Sequence, residues 1–151
     1  MVTDAKKTQK DRAITVGVIS DTHGYLDSEV GVVYQGVDHM IHAGDIVSNQ
    51  VIHELQAMAP TTAVLGNMDP CSRFDGLSET GIVEAGGVMI YALHDLHKLD
   101  LDLVAAGFSA VVHGHTHRAE IQWHGDVLFL NPGSAGDPRA GRPATVALLL
   151  S

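Results

Sequence analysis

The 151-residue sequence contains one cysteine, Cys71. Without a second thiol an intramolecular disulfide is impossible, and a reducing compartment, the cytoplasm, is the expected home. No apolar run reaches the roughly 18 residues that a membrane-spanning helix needs. The opening residues, MVTDAKKTQKDR, are polar and lack the apolar core of a signal peptide. Cations are scarce: Lys and Arg total 9 against 18 Asp and Glu, giving a formal net charge of -9 and a pI of about 5.4. A surface of that sign repels phosphate backbones. With no basic or aromatic stripe either, nonspecific nucleic-acid binding and DNA cleavage are not expected. A bound metal would reverse that argument locally.

What is present is a globular balance, 45% hydrophobic and 18% charged, at a length that suits one domain with an ordinary core. Residues 1–12 read as a solvated tail and 13–151 as the domain. AITVGVIS (13–20), VDHMIHAG (37–44) and TTAVLG (61–66) read as short buried strands. Helical segments lie between them, from Asp27 to the glycine at 36 and over 48–58, with Asp27 and Ser48 as candidate N-caps. Polar residues follow each strand, the pattern of a parallel sheet with its site at the carboxyl ends. The second half predicts a hairpin over 81–93 turning at Gly86-Gly87 and a helical segment over 95–107. A strand at 108–114, a second hairpin over 120–131 turning near Gly125-Asp126 and a last strand at 143–150 complete it. The expected architecture is one α/β domain of two mixed sheets packed together and flanked by helices.

Histidine is abundant, with 10 residues, and it is the commonest metal ligand. Each strand end delivers oxygen or imidazole: Asp21 and His23, then Asp45, then Asn67 and Asp69, then His94 and Asp95, then HGHTH with His113, His115 and His117. Singly, these are ordinary turn or cap residues. Five strand ends with ligand-type residues are a site. Mixed Asp, His and Asn ligation suits Mn, Fe, Co, Ni or Zn and suits calcium poorly. A carboxylate can bridge two ions, so a central Asp among histidines suggests a two-metal centre of the kind that clamps an in-line phosphoryl displacement.

The ordered series Asp21-x-His23, Gly44-Asp45, Gly66-Asn67-x-Asp69, His94 and Gly114-His115-x-His117 resembles the calcineurin-like metallophosphoesterases. It is most similar to their small single-domain phosphodiesterase branch in bacteria and archaea. NPGS (131–134), followed by Pro138-Arg139, resembles that branch too. The resemblance implies a four-layer αββα sandwich. It also implies two divalent transition-metal ions, manganese first, with nickel, iron, cobalt or zinc as alternatives. Asp21, His23 and His117 would hold one ion, Asn67, His94 and His115 the other, and Asp45 both. Two departures stand out. Met68 occupies the place where many superfamily members carry a histidine thought to assist the leaving group, a departure that the small branch commonly shares, and Asp95 replaces a glycine common in the branch.

Around this set, Asp69 is expected to orient a ligand or the loop. Asp95 is expected to cap the helix after it or to orient an imidazole. His113 is expected to be a packed or outer histidine. Arg73 and Arg139 are weaker candidates for neutralising a substrate phosphate. Ser134 lacks the flanking pattern of a nucleophile elbow and reads as a turn residue. His39, His53, His97 and His124 have no motif context. The leading expectation is a cytoplasmic, two-metal phosphodiesterase acting on a small phosphoester, with no membrane or nucleic-acid partner and a homo-oligomer left open. The alternative is a non-catalytic interaction module on the same fold, as in a retromer subunit.

Overall fold

The protein is described by a computed structural model covering residues 13–136 and 142–151. The tail expected at 1–12 and Arg139 lie outside these residues. In chain order the elements are β1 (Thr15–Ile19), α1 (Glu29–Val33), β2 (His39–His42), α2 (Asn49–Met58), β3 (Thr61–Ala63), β4 (Thr80–Ala85) and β5 (Val88–Leu93). A 3-10 turn (Leu96–Lys98), β6 (Ala110–Val112), β7 (Glu120–His124), β8 (Val127–Asn131) and β9 (Ala147–Leu150) follow.

The strands form two mixed sheets, ordered β3-β2-β1-β9 and β4-β5-β6-β8-β7. In the first, β1, β2 and β3 run parallel and β9 is antiparallel to β1. In the second, β5, β6 and β8 run parallel, with β4 and β7 antiparallel on the flanks. Alternation decides which side chains meet. Val16, Val18 and Ile41 face Ile90, Ala110, Val112 and Leu130 in the core between the sheets. Ile19 and Met40 point the other way, into a layer closed by Val30, Tyr34, Val51 and Leu55 from α1 and α2. That layer rests on bare backbone at Gly17, where a Cβ would lie 2.6 Å from Met40 Sδ and 2.7 Å from Tyr34 Cδ1. The Tyr34 hydroxyl then donates to the Val18 carbonyl at 2.6 Å.

The four-layer α/β sandwich is therefore present, but its fourth layer is thin. The helix expected over 95–107 is only the 3-10 turn at Leu96–Lys98 followed by turns. Asp95 Oδ1 accepts from His97 N and Asp102 Oδ1 accepts from Ala105 N, local bonds that compete with helix propagation. Leu103 and Phe108 from this segment still pack on Leu93, Val111 and Val127. Helix α1 is also shorter than its pattern. Its start is set by Asp27 Oδ1 accepting from Glu29 N, and β-branched valines with an internal glycine are poor helix formers. Ser48 caps α2 by accepting from Gln50 N. The first hairpin turns at Gly86 and Gly87, whose φ values of 58° and 80° suit a type I′ turn.

Candidate metal centre

The strand order brings the carboxyl ends of β1, β2 and β3 in one sheet against those of β5 and β6 in the other. The loops that follow are zipped together by backbone bonds: Asp21 N to Gly44 O, His23 N to Asp45 O, Gly24 N to Ile46 O, and Gly114 N to His94 O. These bonds hold an uncommon backbone. Asp21, His23, Asp45, His115 and His117 all have positive φ, between 49° and 76°. Left-handed backbone costs an L-residue roughly 1–2 kcal/mol, and such strain gathers where surrounding structure over-determines a functional geometry. Val47, at φ 71°, shares the strain on the same loop as Asp45. Close approach also needs absent side chains. A Cβ on Gly44 would sit 2.6 Å from His94 Nδ1, one on Gly66 would meet the Asp45 carboxylate, and one on Gly114 would lie 2.7 Å from Asp21 Oδ2.

Seven side chains named from the sequence converge here. Asp21 Oδ2 accepts from Ser20 Oγ at 2.7 Å and from His115 N at 3.1 Å. Its other oxygen, Oδ1, is buried and accepts no hydrogen bond. The Nε2 atoms of His117, His94 and His23 lie 3.3, 3.8 and 3.9 Å from it. Asp45 Oδ1 accepts from Met68 N at 2.9 Å, while Oδ2 lies 3.4 Å from His94 Nε2 and 3.6 Å from His23 Nε2. Asn67 Oδ1 lies 3.0 Å from His94 Nε2 and 3.2 Å from His115 Nδ1. Turned over, the amide would instead donate to both imidazoles and to Asp45, from the same place.

This donor set fits divalent cations. Asp21, His23, Asp45 and His117 each offer one donor atom within 4.8 Å of one another. Two ligands on bonds of about 2.1 Å, at angles between octahedral and tetrahedral, sit about 3.0–3.4 Å apart. The spacings of 3.0–3.4 Å that join Asn67, His115, His94 and Asp45 are of that size. His94 is prepared for the task. Its Nδ1–H donates to the Ala43 carbonyl at 2.7 Å, which leaves Nε2 with a lone pair towards the cluster. Burial lowers the proton affinity of His94, but the neighbouring Asp45 and Asp21 outweigh it and raise the net value. Burial pushes Asp45 up, and the His94 contact, the Met68 N–H and His23 together bring it below the ordinary carboxylate range. The centre thus attracts positive charge, which a bound cation would supply in place of protons.

Around the donors, Asp69 accepts from Ile46 N, Gly66 N and Val47 N at 3.0, 2.9 and 2.8 Å, tying the Asp45 loop to the Asn67 loop. Asp95 caps the 3-10 turn. His113 is buried outside the cluster, and burial lowers its proton affinity. The Arg73 guanidinium is exposed and donates to the Val47 carbonyl at 3.3 Å. Ser134 is buried and donates to the Asp21 carbonyl, and Asn131 holds Gly114 O and Thr116 Oγ1.

Two contributors escaped the sequence reading. Lys98, with Glu79 and Thr80, lines the cleft beside Asn67, His94 and His115. His42 is fully buried: its Nδ1 accepts from Gly44 N, its Nε2–H donates to Thr22 Oγ1, and Thr22 donates to Ile46 O. A histidine closing an apolar strand just before Gly-Asp was the available signal. Burial and the nearby His94 lower its pKa to about 3. Below its ordinary range the unfolded chain binds a proton that folded His42 refuses. Its contribution to stability is thus complete above about pH 6.5 and is lost on acidification towards pH 3. His42→Asn should flatten the fall in urea midpoint between about pH 7 and pH 5; equal slopes in both proteins would refute the role.

Comparison with known proteins agrees with this geometry. The profile of the calcineurin-like phosphoesterase superfamily domain matches residues 14–150. The chain is 35% identical over 133 residues to a probable metallophosphoesterase of Methanocaldococcus jannaschii, covering 82% of this chain and 69% of that protein. It is 28% identical over 152 residues to a phosphodiesterase of the same organism, covering 89% and 91%. Among solved structures, an uncharacterized protein of Streptococcus pneumoniae described as a predicted phosphoesterase superposes with a TM-score of 0.74 at 30% identity, covering 93% and 84%. Vacuolar protein sorting 29 of Cryptosporidium parvum superposes at 0.78 with 20% identity, covering 93% and 86%, a likeness of fold alone. The chain, with its strained loops and converging carboxylates and imidazoles, belongs to the calcineurin-like phosphoesterase superfamily.

Proposed function

We propose that the protein is a two-metal phosphodiesterase of small phosphoesters, working in the cytoplasm. The observation that carries this reading is the position of Asp45, whose Oδ2 faces both His23, beside Asp21, and His94, beside Asn67. Asp21, His23 and His117 would hold one divalent cation, Asn67, His94 and His115 the other, and Asp45 both. Manganese is the first choice, with nickel, iron, cobalt or zinc as alternatives. Such a pair, when bound, supplies positive charge to the phosphoryl oxygens and makes water a competent nucleophile near neutral pH. The chain's own residues do the rest. Ser20 and the His115 N–H fix Asp21, the Ala43 carbonyl fixes His94, and Met68 N–H fixes Asp45. The adjoining cleft, with Lys98 at its wall, receives the ester.

Met68 shapes the expected kinetics. Its exposed thioether has no proton to give. A positioned acid is typically worth about 10²–10⁴ in rate, so without one the leaving oxygen departs largely on its own acidity. A graded series of phosphodiesters, assayed at fixed metal and pH, should show a steep dependence on leaving-group pKa, with nitrophenyl esters fast and alkyl esters slow. A flat series with chemistry rate-limiting would reveal an acid, with Lys98, Asp95 and His97 the first to replace. Metal analysis of the purified protein alongside aryl diesters and monoesters tests the whole reading. Metal-loaded protein inert to all of them would favour the non-catalytic module.

A further inference from the structure

We propose that β7 is a self-association edge, and that two copies of this chain join there into one continuous ten-stranded sheet. β7 closes the second sheet, and no described residue pairs with its outer side. All five of its residues are exposed, including Ile121 at 69% and Trp123 at 66%. Edge strands are ordinarily guarded by charged side chains, lysine above all, by proline or by a bulge. β7, with the sequence EIQWH, has neither lysine nor proline, carries its one formal charge at its first residue, Glu120, and pairs with β8 through five consecutive positions without a bulge.

The register with β8 says which backbone groups are open. The two-residue turn is closed by the pair His124–Val127, and the closing pair of such a hairpin exchanges both hydrogen bonds. Alternation then turns the N–H and C=O of Glu120, Gln122 and His124 towards β8 and those of Ile121 and Trp123 outward. A second β7, antiparallel and centred on Gln122, places Ile121 opposite Trp123 and Trp123 opposite Ile121. That is the hydrogen-bonded spacing the open groups require, and it makes four backbone bonds.

Side chains agree with the same two-fold axis. Glu120 falls opposite His124 of the second copy, twice, so unlike groups meet across the seam. The pairs Ile121–Trp123 fall on the other face. There Trp123 already lines a cavity with Leu149 and Leu150, and Ile121 lines the next with Val146 and Ala147. The second copy would extend this apolar layer across the axis. Cross-strand pairs of both kinds stabilise antiparallel sheets. The edge of β9 exposes Leu148 and Leu150, but its ALLL sequence has no charge to set a self-register.

Sedimentation equilibrium of the full chain at micromolar concentration should give a dimer, and dilution should shift the emission of Trp123, the only tryptophan, to the red. Ile121→Pro removes an outward N–H without touching the β8 bonds, and should weaken the dimer about tenfold or more. Glu120→Lys and His124→Glu should each weaken it, and the double exchange should restore it. Circular dichroism and metal content report that each variant remains folded. A monomeric native protein, a dimer indifferent to Ile121→Pro, or a double exchange weaker than either single would overturn the proposal.

Discussion

Asp45→Asn is expected to lower metal content from two ions per chain to one or fewer and to cut hydrolysis by several orders of magnitude. The exchange keeps size and shape, and an amide oxygen can still accept from Met68 N, which now lies 2.9 Å from Asp45 Oδ1. What disappears is the negative charge between the two groups of donors. Asn67 is neutral, as are His94 and His115 when their ring nitrogens face a cation, so the charge of Asp45 is the principal anionic attraction on that side. Asp21 would still attract an ion to its own side, through the oxygen that accepts no hydrogen bond. The measurement is metal stoichiometry by elemental analysis together with kcat on an aryl phosphodiester. Two ions retained per chain in the variant would sink the bridging role.

The second large effect separates the histidines of HGHTH. His115→Ala and His23→Ala should each lose activity by several orders of magnitude, whereas His113→Ala should keep most of it. Stability should follow the reverse order. His115 is exposed and its ring touches the cluster through Nδ1, near Asn67, so truncation removes a donor and little packing. His113 is buried, so its truncation leaves a void and should cost about 1–3 kcal/mol. Thermal unfolding and kcat, measured on the same three preparations, give a crossed pattern. Equal activity losses at His113 and His115 would mean the wrong ring has been placed in the centre.

Much of this centre was legible because its residues are chemically costly anywhere else. A buried carboxylate or imidazole at a strand end needs a partner, and Asp21, Asp45, Asn67, His94, His115 and His117 recur at successive strand ends of a readable α/β pattern. The two hairpins were equally plain, since Gly86-Gly87 and Gly125-Asp126 punctuate alternating strands. The segment 95–107 has leucines at 96, 99 and 103 at helical spacing, yet it forms only a 3-10 turn and further turns, because Asp95 and Asp102 bond to nearby backbone instead.

By itself, then, the sequence determined the family, the ligand-type residues at the strand ends and the two-sheet α/β pattern. The order of strands and ligand-type residues is written locally, in periodicity, turn residues and the cost of burying charge. Only the tertiary structure decided which oxygen of Asp21 is held by Ser20 and which is left for a cation. It alone decided that His42 lies beneath the centre, that Lys98 reaches its cleft, and that β7 has an open edge. These depend on contacts between residues distant in the chain: 94 positions separate His115 N from Asp21 Oδ2, and 51 separate His94 from Ala43. No local pattern encodes such pairs, because they exist only once two sheets have packed and brought their carboxyl ends together.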